Sequence, residues 1–191
     1  LQESSEINDL KSNLIYDFND EDKTAKIIGN NNLSNSIFIP RSVSHNMQDY
    51  IVTEISEGSF SNFHIQSVQF QEDSEVRIIG KNSFSNSMIT NITIPQHVTK
   101  ICENAFAGCE LLNQINFQEN SELITIGENS FNRCAIEKIN IPSKVSEICP
   151  MAFSFCNQLE NVEFSENSEL KVIGNKAFCN TKIENIIIPA S

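Results

Sequence analysis

The feature that most constrains this chain is a repeat. Ile79-Gly80-Lys81-Asn82-Ser83-Phe84 returns as Ile126-Gly127-Glu128-Asn129-Ser130-Phe131 and again as Ile173-Gly174-Asn175-Lys176-Ala177-Phe178, with a spacing of 47 residues each time. A second set lies about half a period along, Ile101-Cys102-Glu103-Asn104-Ala105-Phe106 and Ile148-Cys149-Pro150-Met151-Ala152-Phe153, and recurs with the same period. The period is therefore two unlike rungs. Self-similarity of this kind marks chains made of stacked units, none of which buries its apolar face alone.

Every rung carries one run of alternating apolar and polar residues, the pattern of a half-buried strand. The runs fall at 65–70, 89–94, 112–117, 136–141, 159–164 and 183–188. Their endings alternate. Pro follows Ile94, Ile141 and Ile188, whereas Phe70, Phe117 and Phe164 lead into the acidic segments QEDSE, QENSE and SENSE. Proline cannot donate to a sheet ladder, so it marks a strand's end. The connecting stretches, such as 103–108, are long enough for one helical turn or a 3₁₀ segment.

The pattern I-x-x-x-A/S-F-x-x-C-x-x-L-x-x-I-x-I/F, with alternate strands closing in Ile-Pro, resembles the BspA-like leucine-rich-repeat family of bacteria and parasitic protists. The resemblance covers roughly residues 14–191. It implies a right-handed curved solenoid of α/β-type repeats, mostly β with short 3₁₀ or helical turns, bearing one parallel sheet on its concave face. Leu14-Ile15-Tyr16-Asp17-Phe18 followed by Lys23-Thr24-Ala25-Lys26-Ile27-Ile28-Gly29 is similar to the capping hairpin that opens such domains. Pro40 stands further from Pro95 than Pro95 does from Pro142, and the surplus around 45–50 fits a hairpin insertion. The expected division is an N-terminal extension at 1–13, a cap and first repeat with that insertion at 14–54, and repeats at 55–191. Those repeats stop directly after a strand, as if truncated, which leaves an edge suited to homo-oligomer pairing.

Composition narrows the function. A net charge of −12 and the lack of any Lys/Arg cluster argue against nucleic acid, whose binding releases counterions through clustered positive charge. They argue equally against an anionic membrane surface, and no apolar run nears the roughly 20 residues that span a bilayer. At 39% hydrophobic, with a regular apolar pattern, the chain is expected to fold.

No catalytic constellation emerges. Gly80-Lys81 is followed by Asn82 and has Glu75 where a phosphate loop needs its first glycine. His45, His64 and His97 have no carboxylate or cysteine at metal-ligand spacing. Cys109, Cys134 and Cys156 share a column with Phe63, Ser87 and Thr181, which reads as packing. With rungs about 4.8 Å apart, adjacent members of that column come near disulfide distance. Cys102 and Cys149, two rungs apart, stand about 9.6 Å from one another and beyond it. Buried free thiols are the expectation, with Cys179 partly exposed. Glu72, Asp73, Glu75, Glu119, Glu122, Glu166 and Glu169 recur on loops two rungs apart, too far to share a cation, and read as a solvated acidic ridge. The chain is thus read as non-catalytic and without cofactor.

The remaining candidate is the strand face. Ser67, Gln69, Asn91, Thr93, Gln114, Asn116, Lys138, Asn140, Asn161, Glu163 and Asn185, with Ile187, point outward by alternation. Such a polar ladder fits a protein or glycan ligand held with modest affinity per site and strengthened by many displayed copies. Equally, these amides can serve only to solvate the sheet, since the face offers no Trp, Tyr or Arg. Asn32-Leu33-Ser34 and Asn91-Ile92-Thr93 match the glycosylation sequon. The family resemblance implies a surface-displayed or secreted adhesin or antigen that engages host or neighbouring cells. Six cysteines without evident partners favour the alternative, a cytoplasmic protein scaffold.

Overall fold

The computed structural model describes residues 13–31 and 34–189. The chain is a β-solenoid with two kinds of ladder. One is a nine-stranded sheet built from β1 (Leu14–Asn19), β2 (Thr24–Asn30), β5 (Gln48–Ile55), β7 (Ile78–Ile79), β9 (Lys100–Ile101), β11 (Thr125–Ile126), β13 (Glu147–Ile148) and β15 (Val172–Ile173), with β4 (Ser42–His45) attached to β5. β1 and β2 form an antiparallel hairpin at the N-terminal end, and β4 and β5 form the second hairpin, where the sequence carries its surplus residues. From β2 through β5 to β15 the pairing is parallel.

The second ladder comprises four-residue strands on another side of the rungs: β3 (Ser36–Ile39), β6 (Ser67–Phe70), β8 (Asn91–Ile94), β10 (Gln114–Phe117), β12 (Lys138–Ile141) and β14 (Asn161–Phe164). It is not one sheet. Strands β3 and β6, β8 and β10, and β12 and β14 pair in parallel, and no ladder joins one pair to the next. Proline supplies the reason. At each paired junction the residue after the second strand donates back across the rung: Gln71 N to Ile39 O, Gln118 N to Ile94 O and Ser165 N to Ile141 O, at 2.8, 3.1 and 3.0 Å. At the gaps the same position is Pro95 or Pro142, which has no N–H to give. Strands facing each other across a gap still lie side by side. The run at 183–188 forms no strand, because its described neighbour is β14 and the closing position is again a proline, Pro189.

Between the ladders each rung turns through a chain of tight turns rather than the expected helical turn or 3₁₀ segment; no helix of either kind occurs among the described residues. In one rung Ala105 N bonds Cys102 O, Ala107 N bonds Asn104 O and Cys109 N bonds Phe106 O. Asn104 and Gly108 occupy the third positions of the first and last of these turns, with φ of 55° and 73°. A left-handed residue every fourth position forbids a helix and favours Asn or Gly. The same two columns hold Asn82, Asn129, Asn62, Asn86 and Asn180, all at positive φ. Much of the asparagine in this chain therefore sits in turns and not on the strand face.

The core is a stack. Phe60, Phe84, Phe106, Phe131 and Phe153 are fully buried, and with Phe178 they run through the molecule with ring centroids 5.1–5.3 Å apart and planes within 12° of parallel. The inward Ile, Leu and Val of both ladders close around them. Backbone bonds between rungs hold the stack in register, as in Phe106 N to Ser130 O and Phe131 N to Ala152 O. Gly80, Gly127 and Gly174 stand where the rungs come closest: a Cβ at Gly127 would lie 2.6 Å from Ile101 O.

Candidate functional site

Strand register determines which side chains of the four-residue ladder stand together. Asn91 pairs with Gln114 and Thr93 with Asn116; Lys138 pairs with Asn161 and Asn140 with Glu163. Two columns result, one through Ser36, Ser67, Asn91, Gln114, Lys138 and Asn161, the other through Phe38, Gln69, Thr93, Asn116, Asn140 and Glu163. Between them the buried Ile37, Val68, Ile92, Ile115, Ile139 and Val162 anchor each strand to the core. Alternation does the rest.

All eleven residues expected on this face are exposed. Six of them, Gln114, Asn116, Lys138, Asn140, Asn161 and Glu163, line one shallow depression of about 620 Å³ across β10, β12 and β14, together with Asn113 and Glu137. Asn185 lies apart from that group, in a neighbouring depression of about 730 Å³ shared with Asn161, Glu163 and the exposed Ile187. Ser67, Gln69, Asn91 and Thr93 continue the columns toward the N-terminal end.

Few bonds bind these side chains to each other. Asn161 Nδ2 donates to Glu163 Oε1 at 2.9 Å, Gln114 Nε2 reaches Asn116 Oδ1 at 3.4 Å, and Ser67 Oγ donates to Ser36 Oγ at 2.8 Å. Lys138 is in no ion pair among the described residues. The face thus offers free amide, hydroxyl and ammonium donors beside amide and carboxylate acceptors, the inventory needed to recognise a hydroxyl-rich or peptide surface.

Two contributors escaped the sequence. Ser36 and Phe38 extend the columns by one rung, and Phe38 brings a half-buried aromatic to a face otherwise built from amides. The segment Ile37-Phe38-Ile39-Pro40 repeats the strand signature and was the available signal. Asn91, the sequon on this face, is exposed, and its Nδ2 donates to Thr90 Oγ1 at 3.2 Å. Asn32 of the other sequon lies outside the described residues, as do 1–12 of the expected extension.

The other candidate groups occupy structural places. All six cysteines are free; Cys109, Cys134 and Cys156 are buried and Cys179 is half-buried. The three buried thiols donate to Phe84 O, Phe106 O and Phe131 O at 3.1, 3.3 and 3.1 Å. Burial pushes the Cys134 thiol well up, takes Cys156 up to about 12, and with the help of Glu147 takes Cys149 up to about 11. Such thiols stay protonated at neutral pH and are poor nucleophiles.

The acidic ridge is partly neutralised. Glu75 takes both Arg41 and Arg77 at 3.5 Å, and Glu122 Oε2 meets His97 Nδ1 at 3.3 Å, a partner on the adjacent rung that local spacing could not reveal. Glu72, Asp73, Glu119, Glu166 and Glu169 face solvent. No three of His, Cys, Asp and Glu converge as metal ligands among the described residues. No helix there is long and apolar enough to cross a membrane.

Comparison with known proteins agrees with this architecture. Residues 7–88, 26–124 and 77–191 match the BspA type leucine rich repeat region, in six copies. The chain is similar to a leucine-rich repeat protein from Bacteroides ovatus, at 23% identity and a TM-score of 0.54, over 93% of this chain and 58% of that one. It is similar to the pneumococcal vaccine antigen PcpA, at 23% and 0.59, over 88% of this chain and 40% of that one. It also resembles the leucine-rich repeat protein of T. pallidum, at 19% and 0.60, over 79% of each. These likenesses speak for the fold alone. The chain spans less than two thirds of the length of the first two. No curated protein is significantly similar in sequence.

Proposed function

The chain belongs to the BspA-type leucine-rich-repeat family, and on that premise we propose that it is a non-catalytic binding module working at a cell surface or in secreted form. The observation that carries this reading is the pair of exposed polar columns, converging at β10, β12 and β14 in one shallow depression. A parallel ladder repeats its donors and acceptors about every 4.8 Å, a spacing suited to an extended partner. The ligand is a glycan or protein of a host or neighbouring cell, held weakly at each site and retained by avidity across many copies.

Simultaneous alanine replacement of Gln114, Asn116, Lys138 and Asn140 tests the face. All four are exposed, so thermal unfolding should be unchanged. Retention on a printed array of glycans and matrix proteins should fall by about tenfold or more, the loss of a few hydrogen bonds. Undiminished retention would eliminate this face.

A second reading rests on the thiols. Six free cysteines suit a reducing compartment, where the same ladder would organise cytoplasmic protein partners. Antibody staining of intact source cells separates the two: signal without permeabilisation supports display, and signal only after it supports the scaffold.

A further inference from the structure

Both turn columns depart from Asn and Gly, the first at Met151 and Lys176 and the second at two bulky side chains in adjacent rungs. The left-handed position two residues beyond the core phenylalanine is held by Asn62, Asn86, Gly108 and Asn180 in four rungs, but by Arg133 and Phe155 in the two adjacent rungs between. Their φ values are 62° and 59°. Left-handed backbone is tolerated by Asn and Gly and is unfavourable for bulky side chains, and strain of this kind collects at binding sites.

The two side chains act together. The Arg133 guanidinium lies 5.7 Å from the Phe155 ring centroid, and Phe155 is nevertheless 44% exposed. The chain has three arginines: Arg41 and Arg77 share the Glu75 carboxylate, and Arg133 is in no ion pair among the described residues. The cation–π contact with the ring places the guanidinium beside an apolar surface and leaves its N–H groups without an ionic partner among the described residues. These residues line a depression of about 410 Å³ with Glu110, Asn157 and Gln158, apart from the strand columns.

We propose that this depression is a binding site for an acidic saccharide. The free fork of Arg133 takes the sugar carboxylate in a bidentate bond. The apolar ring of Phe155 packs against the C–H face of the pyranose, and the amides of Asn157 and Gln158 with the Glu110 carboxylate address its hydroxyls. The volume falls within the range of small-ligand sites, and its modest size favours a single sugar over an extended acidic peptide. The site does not depend on the strand face, and its test is separate.

That test is an NMR titration of the 191-residue chain with glucuronic acid, N-acetylneuraminic acid, glucose and acetate. At least one acidic sugar should move the Arg133 and Phe155 resonances, with a Kd about tenfold or more below those of glucose and acetate, as a charge-assisted pair plus ring contact requires. Arg133→Gln should erase the preference over glucose. Phe155→Asn restores the residue type common in that column, so unfolding should be unchanged or shifted upward while acidic-sugar binding weakens. Acetate binding as tightly as the sugars would reduce the site to a bare carboxylate contact, and equal binding of glucose would remove Arg133 from it; either result overturns the proposal. So does the absence of shifts at Arg133 and Phe155 with both acidic sugars.

Discussion

The two ladders of this solenoid are built from the same rungs and behave differently. The ladder from β5 to β15 has strands of only two residues beyond β5, yet it runs unbroken. The ladder of four-residue strands carries more backbone per rung and is divided into pairs. Strand length does not decide continuity here. What matters is whether each rung can supply a donor at the closing position and whether neighbouring backbones can approach. The first ladder lies beside Gly80, Gly127 and Gly174, which allow close approach, and the second meets a proline at every other rung. The difference suits the roles assigned to them: one ladder sets the register of the stack and the other presents side chains.

Three substitutions probe this contrast. The largest effect belongs to the spine that both ladders enclose. Phe131→Ala removes a fully buried ring stacked at 5.3 Å on both sides and should cost about 4 kcal/mol in chemical denaturation. A cost near that of an exposed residue would mean that the rings are not the element joining the ladders.

Gly127→Ala acts on the continuous ladder alone. Its Cβ would meet Ile101 O and the Cys102 carbonyl carbon at 2.6 Å, backbone atoms that yield only if the rungs part. A loss of roughly 2 kcal/mol is expected, with faster amide exchange at Thr125 and at position 127 itself, whose N–H groups bond Thr99 O and Ile101 O across this junction. Unchanged exchange there would show that close approach is not what keeps this ladder whole.

Pro142→Ala should have the smallest effect on stability, under about 1 kcal/mol in either direction, since a new hydrogen bond offsets the lost rigidity of proline. Its value is local. The amide introduced at position 142 should be protected from exchange by Phe117 O, joining the β8–β10 pair to the β12–β14 pair. If that amide exchanges freely, something other than the missing donor divides the ladder.

Much of this was legible from the sequence because the relevant forces are local or repeated. The 47-residue period announced the stack, alternation placed Gln114, Asn116, Lys138 and Asn140 outward, and Ile-Pro marked the strand ends. The cysteine column read correctly as packing, since a position that accepts Phe, Ser and Thr elsewhere makes no special demand. Less visible was why asparagine is so common: a solvating role on the strands and a left-handed role in the turns look alike in one dimension, and only φ separates them. The helical turn expected at 103–108 failed for the same reason.

The sequence by itself determined that the chain is a stack of paired, unlike rungs, and which residues face in or out, because periodicity and side-chain alternation are properties of the chain alone. The tertiary structure decided who stands beside whom. Register across rungs gathered six of the polar residues into one depression, placed His97 against Glu122, and laid Arg133 over Phe155. Each of those partners belongs to a neighbouring rung, distant along the chain, and nothing short of the stacked backbone, with its donors and its prolines, sets their meeting.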